Sequence, residues 1–314
     1  MANSGNKGVE NMQKRMSCTE LKQRLDSGER LILVDVLPPE CYEGKHLPGA
    51  SNACVYEMAF PERMAELAPD REVALVVYTN SDRSRAADCA RDKLIGAGYR
   101  SVVSLDGGIE AWEASGFSVE PLGGCYPAEP SLQDRTYRLD PTHCTVTWAG
   151  RNLNGRHDGI IPLVGGQIAI AAGRLVGGEI VLDLTKLANR DLQDETLRAM
   201  LETHLKSDDF FDVARYPNAT VRLLGGEPLA GATPGTANYQ VLAELTLKGV
   251  TRPLSFAAAV APQQDGSVKA QATLELDRTD WGIIYGSGKL FERLGMHLVH
   301  DQISVELFLT ALPA

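Results

Sequence analysis

VVYTNSDRSRAADCARDKLIGAGY, residues Val76–Tyr99, decides the fold of the first part of the chain. An apolar run ends at Tyr78, six polar residues follow (Thr79, Asn80, Ser81, Asp82, Arg83, Ser84), and an Ala-rich stretch of helical character starts at Arg85. A strand that passes through a polar loop into a helix N-terminus converges backbone N–H groups and a positive helix end on one point, which makes an anion cradle. Arg83 and Arg85 can add donors there for a phosphate, a sulfate or a partner's carboxylate, although a solvated helix start accounts for them equally well. Working outward, buried-type apolar runs at Leu31–Val36, Ala74–Tyr78 and Val102–Leu105 alternate with helical stretches near Thr19–Asp26, Pro61–Leu67 and Arg85–Ala97. That alternation predicts an α/β domain with a mainly parallel sheet, and in such sheets ligands sit at the carboxyl ends of the strands, where the Thr79 loop falls. Gly107 and Gly108 mark a tight turn before a helix at Ile109–Ser115.

Together with DVLPPECYEGKHLPGA (Asp35–Ala50) and SLDGGIEAWEASGFSVE (Ser104–Glu120), this region resembles a rhodanese domain. The resemblance implies a persulfide-forming cysteine just after the VVY strand, and this chain has Thr79 there. Sulfur transfer needs a soft thiolate whose pKa the loop can depress, whereas a threonine hydroxyl neither ionises at neutral pH nor holds a sulfane sulfur. The match is to the subset with two cysteines five apart, and the second position holds Ser84. Leu37 stands where the family often has Arg, and Lys45 precedes His46 where it usually has Gly. The expectation is a catalytically impaired module with no thiosulfate:cyanide sulfurtransferase activity. Cys89 or Cys41 is the alternative thiol; the alanines around Cys89 favour a core cysteine instead.

The 314 residues exceed the usual single-domain size, so two domains are expected. The net charge of -10 is an acidic excess shared by both halves, which excludes the basic surface that nucleic-acid binding needs. Six cysteines (Cys18, Cys41, Cys54, Cys89, Cys125, Cys144) lack the close paired spacing of a zinc ribbon or a disulfide framework and read as reduced thiols, which with the polar start MANSGNKGVENMQKR suggests a cytoplasmic protein. No stretch reaches the ~18 apolar residues of a membrane span. Residues 1–15 read as a disordered tail, Ser17 with Glu20 as a capping box, and the Pro- and Gly-rich stretch 122–135 as a linker between a first domain at 16–121 and a second at 136–314.

After the linker the period changes to two. Cys144, Val146, Trp148; Ile180, Leu182, Leu184; Tyr239, Val241, Ala243, Leu245, Leu247; Ala272, Leu274, Leu276; and Ile303, Val305, Leu307, Leu309 each put apolar residues on one strand face. Such strands, separated by Gly-, Asn- and Asp-rich breaks, predict an antiparallel barrel or sandwich. One helix interrupts them, Asp191–Lys206, with Leu197, Met200, Leu201 and Leu205 at helical spacing.

Four motifs in order, TYRLDPTHCTVTWAGRNLNGRHDG (Thr136–Gly159), HLKSDDFFDVARYPNAT (His204–Thr220), LTLKGVTRPLSF (Leu245–Phe256) and DRTDWGIIYGSG (Asp277–Gly288), resemble the YceI-like family of polyisoprenoid-binding proteins. The resemblance implies a lipocalin-like barrel whose lumen holds an isoprenoid or quinone-like chain. Candidate ligand contacts are Trp148, Leu182, Leu184, Phe210, Phe211, Trp281, Ile283 and Tyr285, with Tyr285 and Arg278 near a polar head group; a surface ion pair is the other reading of Arg278, and a barrel filled by its own side chains is the other reading of the lumen. His297 and His300 beside Asp301, with His157 and His204, lack a third ligand in register, so no metal is expected and no cofactor is required. Three function classes follow: a binder of an apolar small molecule with a rhodanese-like module kept for anion binding or docking a protein partner, a sulfurtransferase using a non-standard thiol, and an interaction scaffold. Pairing of barrels into a dimer through exposed edge strands is compatible with each.

Overall fold

The computed structural model describes residues 15–314, and the chain divides between Ala128 and Glu129 into two units. The expected tail at 1–15 lies outside the described residues except for Arg15. That residue belongs to strand β1 (Arg15–Met16), so the first domain begins at least one residue earlier than its sequence pattern indicates.

In the first unit, β1, β2 (Leu31–Asp35), β3 (Ser51–Asn52), β4 (Ala74–Tyr78) and β5 (Ser101–Leu105) form one parallel sheet in the order β1-β5-β4-β2-β3. The helices are α1 (Cys18–Asp26), α2 (Pro39–Gly44), α3 (Phe60–Leu67), α4 (Ala86–Gly96) and α5 (Gly108–Ala114). Ser17 caps α1, its hydroxyl accepting from the Glu20 N–H at 3.2 Å. The central strands are mostly apolar because both sheet faces are covered: Val34, Leu75 and Val77 enter one core, Leu33, Val76 and Tyr78 the other, with Asp35 and Ser104 as buried polar exceptions. The short edge strands β1 and β3 carry too few residues for any periodicity to show.

The stretch read as a linker is anchored rather than free at its start. Tyr126 packs against the second of these cores, Lys45 lies over its ring at 4.7 Å, and a Cβ on Gly44 would sit 2.5 Å from the Cys125 carbonyl oxygen.

In the second unit the strands are β6 (Thr136–Leu139), β7 (Thr145–Arg151), β8 (Arg156–Ile160), β9 (Leu163–Ala171), β10 (Arg174–Asp183), β11 (Ala188–Asn189), β12 (Asn218–Pro228), β13 (Tyr239–Leu247), β14 (Val250–Pro262), β15 (Val268–Asp277) and β16 (Gln302–Pro313). The order runs β11-β8-β7-β16-β15-β14-β13-β12-β10-β9-β6, and β16 also pairs with β6, so eight antiparallel strands close into a barrel while β7, β8 and β11 extend it from one side. Leu184, expected on a strand, lies in a 3-10 turn instead, because Asp183 caps it by accepting from the Thr185 N–H at 3.0 Å. The helix, α6 (Glu195–Lys206), starts at Asp194, whose carboxylate accepts from the N–H groups of Thr196 and Leu197 at 2.9 and 3.0 Å. Its apolar stripe is only half used: Leu201 and Leu205 join the barrel core, while Leu197 and Met200 are exposed because only the C-terminal turns lie against the barrel.

Candidate functional site

At the end of β4 the chain turns through Thr79, which is buried, and its hydroxyl donates to the Ser81 carbonyl at 3.1 Å. The carbonyls of Thr79 and Asn80 accept from the N–H groups of Ile109 and Glu110, both at 2.9 Å, so the free donors at the start of α5 are spent on the loop itself. This close approach requires glycine at 108, where φ is 59° and a Cβ would lie 2.3 Å from the Thr79 oxygen. Asp82 supplies the loop with its own anion, accepting from Arg15 at 2.8 Å and from the Gly107 N–H at 3.0 Å. Arg83 is largely exposed and paired with Glu110 at 2.8 Å, Ser84 accepts from the Ala86 N–H at 3.2 Å, and Arg85 is exposed at the start of α4. Arg15 bridges Asp82, Asp88 and Asp106; burial raises the Asp88 pKa, but the Ser104 hydroxyl and Arg15 outweigh it and hold that carboxyl below the usual range.

Cys89 is exposed, not a core residue as its neighbours suggest, because α4 buries the face carrying Ala86, Ala87, Ala90 and Leu94 and turns Cys89 away from it. Cys41 is half-buried, and burial together with Asp35 pushes its thiol pKa up, away from the reactive thiolate. Asp35 itself is fully buried and accepts from the Leu37 N–H at 2.9 Å; burial pushes its pKa up to about 6, against the opposing pull of the Leu37 N–H and the Tyr78 hydroxyl.

The barrel holds the second candidate site. A vestibule of about 290 Å³ lies under α6, a middle cavity of about 90 Å³ follows, and a deep cavity of about 80 Å³ ends against Leu132 from the stretch read as linker. Trp148, Phe211 and Ile303 line both the vestibule and the middle cavity, and Ile180, Phe256 and Leu307 line both the middle and the deep one, so the three lie end to end. The inward row of β16, Ile303, Val305, Leu307 and Leu309, is only half-buried although it faces the barrel interior. Side chains that met each other across a filled barrel would be fully buried. Each of these cavities exceeds the ~10–15 Å³ that seats one water.

Of the residues expected to touch a ligand, Trp148, Leu182, Leu184 and Phe211 line the middle cavity, and Phe210, Ile283 and Tyr285 line the vestibule. Phe210 and Tyr285 pack around His204 with ring centroids 5.0 and 4.6 Å away. Trp281 is placed elsewhere: it is buried in the wall, its indole N–H donating to the Leu245 carbonyl at 3.0 Å, and it lines none of these cavities. Arg278 is buried as well, donating to the carbonyls of His300, Ile283 and Val299 with Asp301 at 3.4 Å; burial lowers its pKa and the aspartates oppose this. It lines the vestibule and is at the same time a structural strut, not a surface ion pair.

The polar side of the vestibule brings together Arg151, Asn152, His157, His204 and His297; the sequence raises the histidines only as metal ligands and misses Arg151 and Asn152, and His157 and His204 are paired with Asp191 and Asp209 at 2.9 and 3.2 Å. Arg151, Asn152 and His157 all lie in the GRNLNGRHDG stretch, whose polar clustering was the available signal. Among the described residues no group of His, Cys, Asp and Glu could hold a metal ion.

Residues 137–311 match the model of the YceI-like domain. The chain belongs to the YceI-like family. A second model, of the rhodanese-like domain, matches residues 17–115, so this YceI-like protein carries a rhodanese-like domain ahead of its barrel. Over the first domain it is 35% identical to thiosulfate sulfurtransferase GlpE of Pseudomonas syringae, across 27% of this chain and 74% of that protein. It is 39% identical to the HTH-type transcriptional regulator Rv0324 of Mycobacterium tuberculosis across 33% of this chain, and spans 45% of that regulator's length. The YceI-like half is similar to a solved polyisoprenoid binding domain from Saccharophagus degradans, implicated in plant cell wall breakdown, with 18% identity, a TM-score of 0.42, and coverage of 57% of this chain and 98% of that one. Among the described residues no helix is long and apolar enough to cross a membrane.

Proposed function

We propose that the barrel carries one long, slender apolar molecule, an isoprenoid or quinone-like chain, and that the rhodanese-like domain contributes a docking surface without sulfur transfer. The observation that carries the first part is the run of three cavities that share lining side chains in turn, the inner two small and walled mostly by Leu, Ile, Val and Phe, the outer one a vestibule with polar side chains. A narrow bore suits a single methyl-branched chain better than a fused-ring ligand, and each buried methylene contributes roughly 0.8 kcal/mol before entropy costs. Arg151, Asn152 and His297 suit a head group rich in acceptor oxygens, while His157 and His204 are held by Asp191 and Asp209. Native mass spectrometry of the full chain, followed by solvent extraction, tests this. A stoichiometric prenyl-chain adduct is expected; an unliganded mass that does not shift with added prenyl phosphates or quinones would leave the scaffold reading.

The second part rests on Thr79, whose hydroxyl stands at the nucleophile position and is already committed to Ser81. Relatives named as thiosulfate sulfurtransferases make the activity the alternative to beat. Wild type is expected to be inactive in the thiosulfate:cyanide assay, and Thr79→Cys to gain a persulfide as its thiolate attacks the outer sulfur of thiosulfate and sulfite leaves. Activity in wild type that disappears in Cys89→Ser or Cys41→Ser would establish the non-standard thiol instead. Between docking and anion binding, the acids Asp82, Asp88, Asp106 and Glu110 around the loop favour docking to a protein partner, since an anion there would meet their negative charge and Glu110 already pairs Arg83.

A further inference from the structure

We propose that the segment from Ile284 to Leu298, at the barrel mouth, is a surface that inserts into a lipid bilayer so that an apolar chain passes between bilayer and lumen without crossing water. The purpose rests on the carrier reading; the geometry does not. Ile284, Leu290, Phe291 and Met296 are 40%, 56%, 44% and 69% exposed within this one short segment. Large apolar side chains scattered singly over a surface need no explanation, but a cluster of them marks an interaction site.

Their exposure is built in. The Ser287 N–H donates to the Ile284 carbonyl at 3.0 Å, the Leu290 and Phe291 N–H groups to the Ser287 carbonyl at 3.2 and 3.0 Å, and the Val299 N–H to the Gly286 carbonyl at 2.9 Å. Gly286, Arg293 and Gly295 adopt left-handed φ of 63°, 58° and 53°, and a Cβ on Gly286 would lie 2.5 Å from the His297 carbonyl oxygen. Lys289 is tied back to Asp277 and Ser287 is fully buried at the segment's root. A backbone held at this many points keeps its apolar side chains outward.

The segment is also continuous with the lumen. Tyr285, Met296 and His297 line the vestibule, and Tyr285 and His297 also line an outer groove of about 650 Å³ whose apolar wall is Ile284, Phe291 and Leu294 and whose polar wall carries Arg293, Glu292, Asp208 and Asp209. Anything leaving the vestibule along this groove therefore passes the exposed apolar side chains. A bilayer fits this surface in both its parts: Leu290, Phe291 and Met296 would reach the acyl boundary while the exposed Glu292 and Arg293 stay at the zwitterionic head groups. Because the whole chain has a net charge of -10, the attraction comes from apolar insertion rather than from charge.

The test is flotation of the full chain with phosphatidylcholine vesicles. Wild type is expected to float with the lipid and to go on doing so at high salt, and Leu290→Ser with Phe291→Ser to reduce the bound fraction about tenfold. Leu242→Ser, at an exposed leucine on the outer wall, is expected to change nothing. Wild type remaining in the lipid-free fraction, a double variant floating as well as wild type, or loss of binding at high salt would each overturn the proposal. Native mass spectrometry separates the two readings: flotation without a prenyl adduct keeps the docking surface and removes the carrier, and an adduct without flotation does the reverse.

Discussion

Asp35 shows what a single buried carboxyl imposes on the first domain. Its folded pKa of about 6 lies above the model-peptide value of 3.8, so the folded state binds the proton more tightly than the unfolded chain does. Stability linked to this group is therefore present below about pH 4 and is lost as the pH rises through 6, by up to about 3 kcal/mol for a shift of this size. Urea denaturation from pH 4 to 7 should show wild type losing stability relative to Asp35→Asn, which keeps an acceptor for Leu37; parallel profiles would mean that Asp35 is not desolvated. Gly108→Ala is expected to cost about 2 kcal/mol or more, read as a lowered urea midpoint, because it combines a left-handed φ with a Cβ 2.3 Å from the Thr79 oxygen. At this scale the sequence located the substitution at Thr79 and the turn at Gly107 and Gly108, because each is a matter of residue identity. The solitary acid at Asp35 and the exposure of Cys89 were not legible, since burial depends on which helix face meets the sheet.

Among the elements, α6 shows a local signal and its tertiary limits side by side. Asp194→Ala removes the acceptor for two N–H groups and is expected to cost about 1 kcal/mol, measured as a fall in the melting temperature. No change would show that packing against the barrel alone holds the helix. The helical spacing of Leu197, Met200, Leu201 and Leu205 predicted the helix correctly and overstated the buried face. The strands β7, β10, β13, β15 and β16 were readable because their residues alternate, whereas β8 and β9 are interrupted by glycines and β14 by Pro253 and a run of alanines, which blur a period of two. Gly159 shows why such glycines are there: a Cβ would lie 1.9 Å from the Ala188 carbonyl oxygen and 2.7 Å from the Trp148 indole nitrogen.

Within the second unit, the three cavities show that its inward residues leave space between them. Ala272 lines the deep cavity, and Ala272→Phe is expected to fill part of it while leaving the vestibule intact. The mass distribution of extracted chains should then shift to shorter lengths; an unchanged distribution would place the chain outside the deep cavity. The fold class of each unit was legible because the change from alternating strands and helices to a period of two is a property of the chain itself. Which of the inward residues meet a cavity was not, since Trp148 and Trp281 look alike in sequence, and only the register of β7 and the turn after β15 send one to the lumen and the other to the Leu245 carbonyl.

The sequence by itself determined that this chain joins an α/β domain to an antiparallel β domain, with barrel and sandwich both open to its periodicity, and that the first lacks a thiol where sulfur transfer would need one, because periodicity and residue type are local quantities. Only the tertiary structure decided that the inner face of the barrel leaves space, that Arg278 is a buried strut and that the apolar segment after Ile284 borders the mouth. Those outcomes depend on how strands far apart in the chain close the ring, in which β6, the first strand of the second unit, pairs with β16, the last.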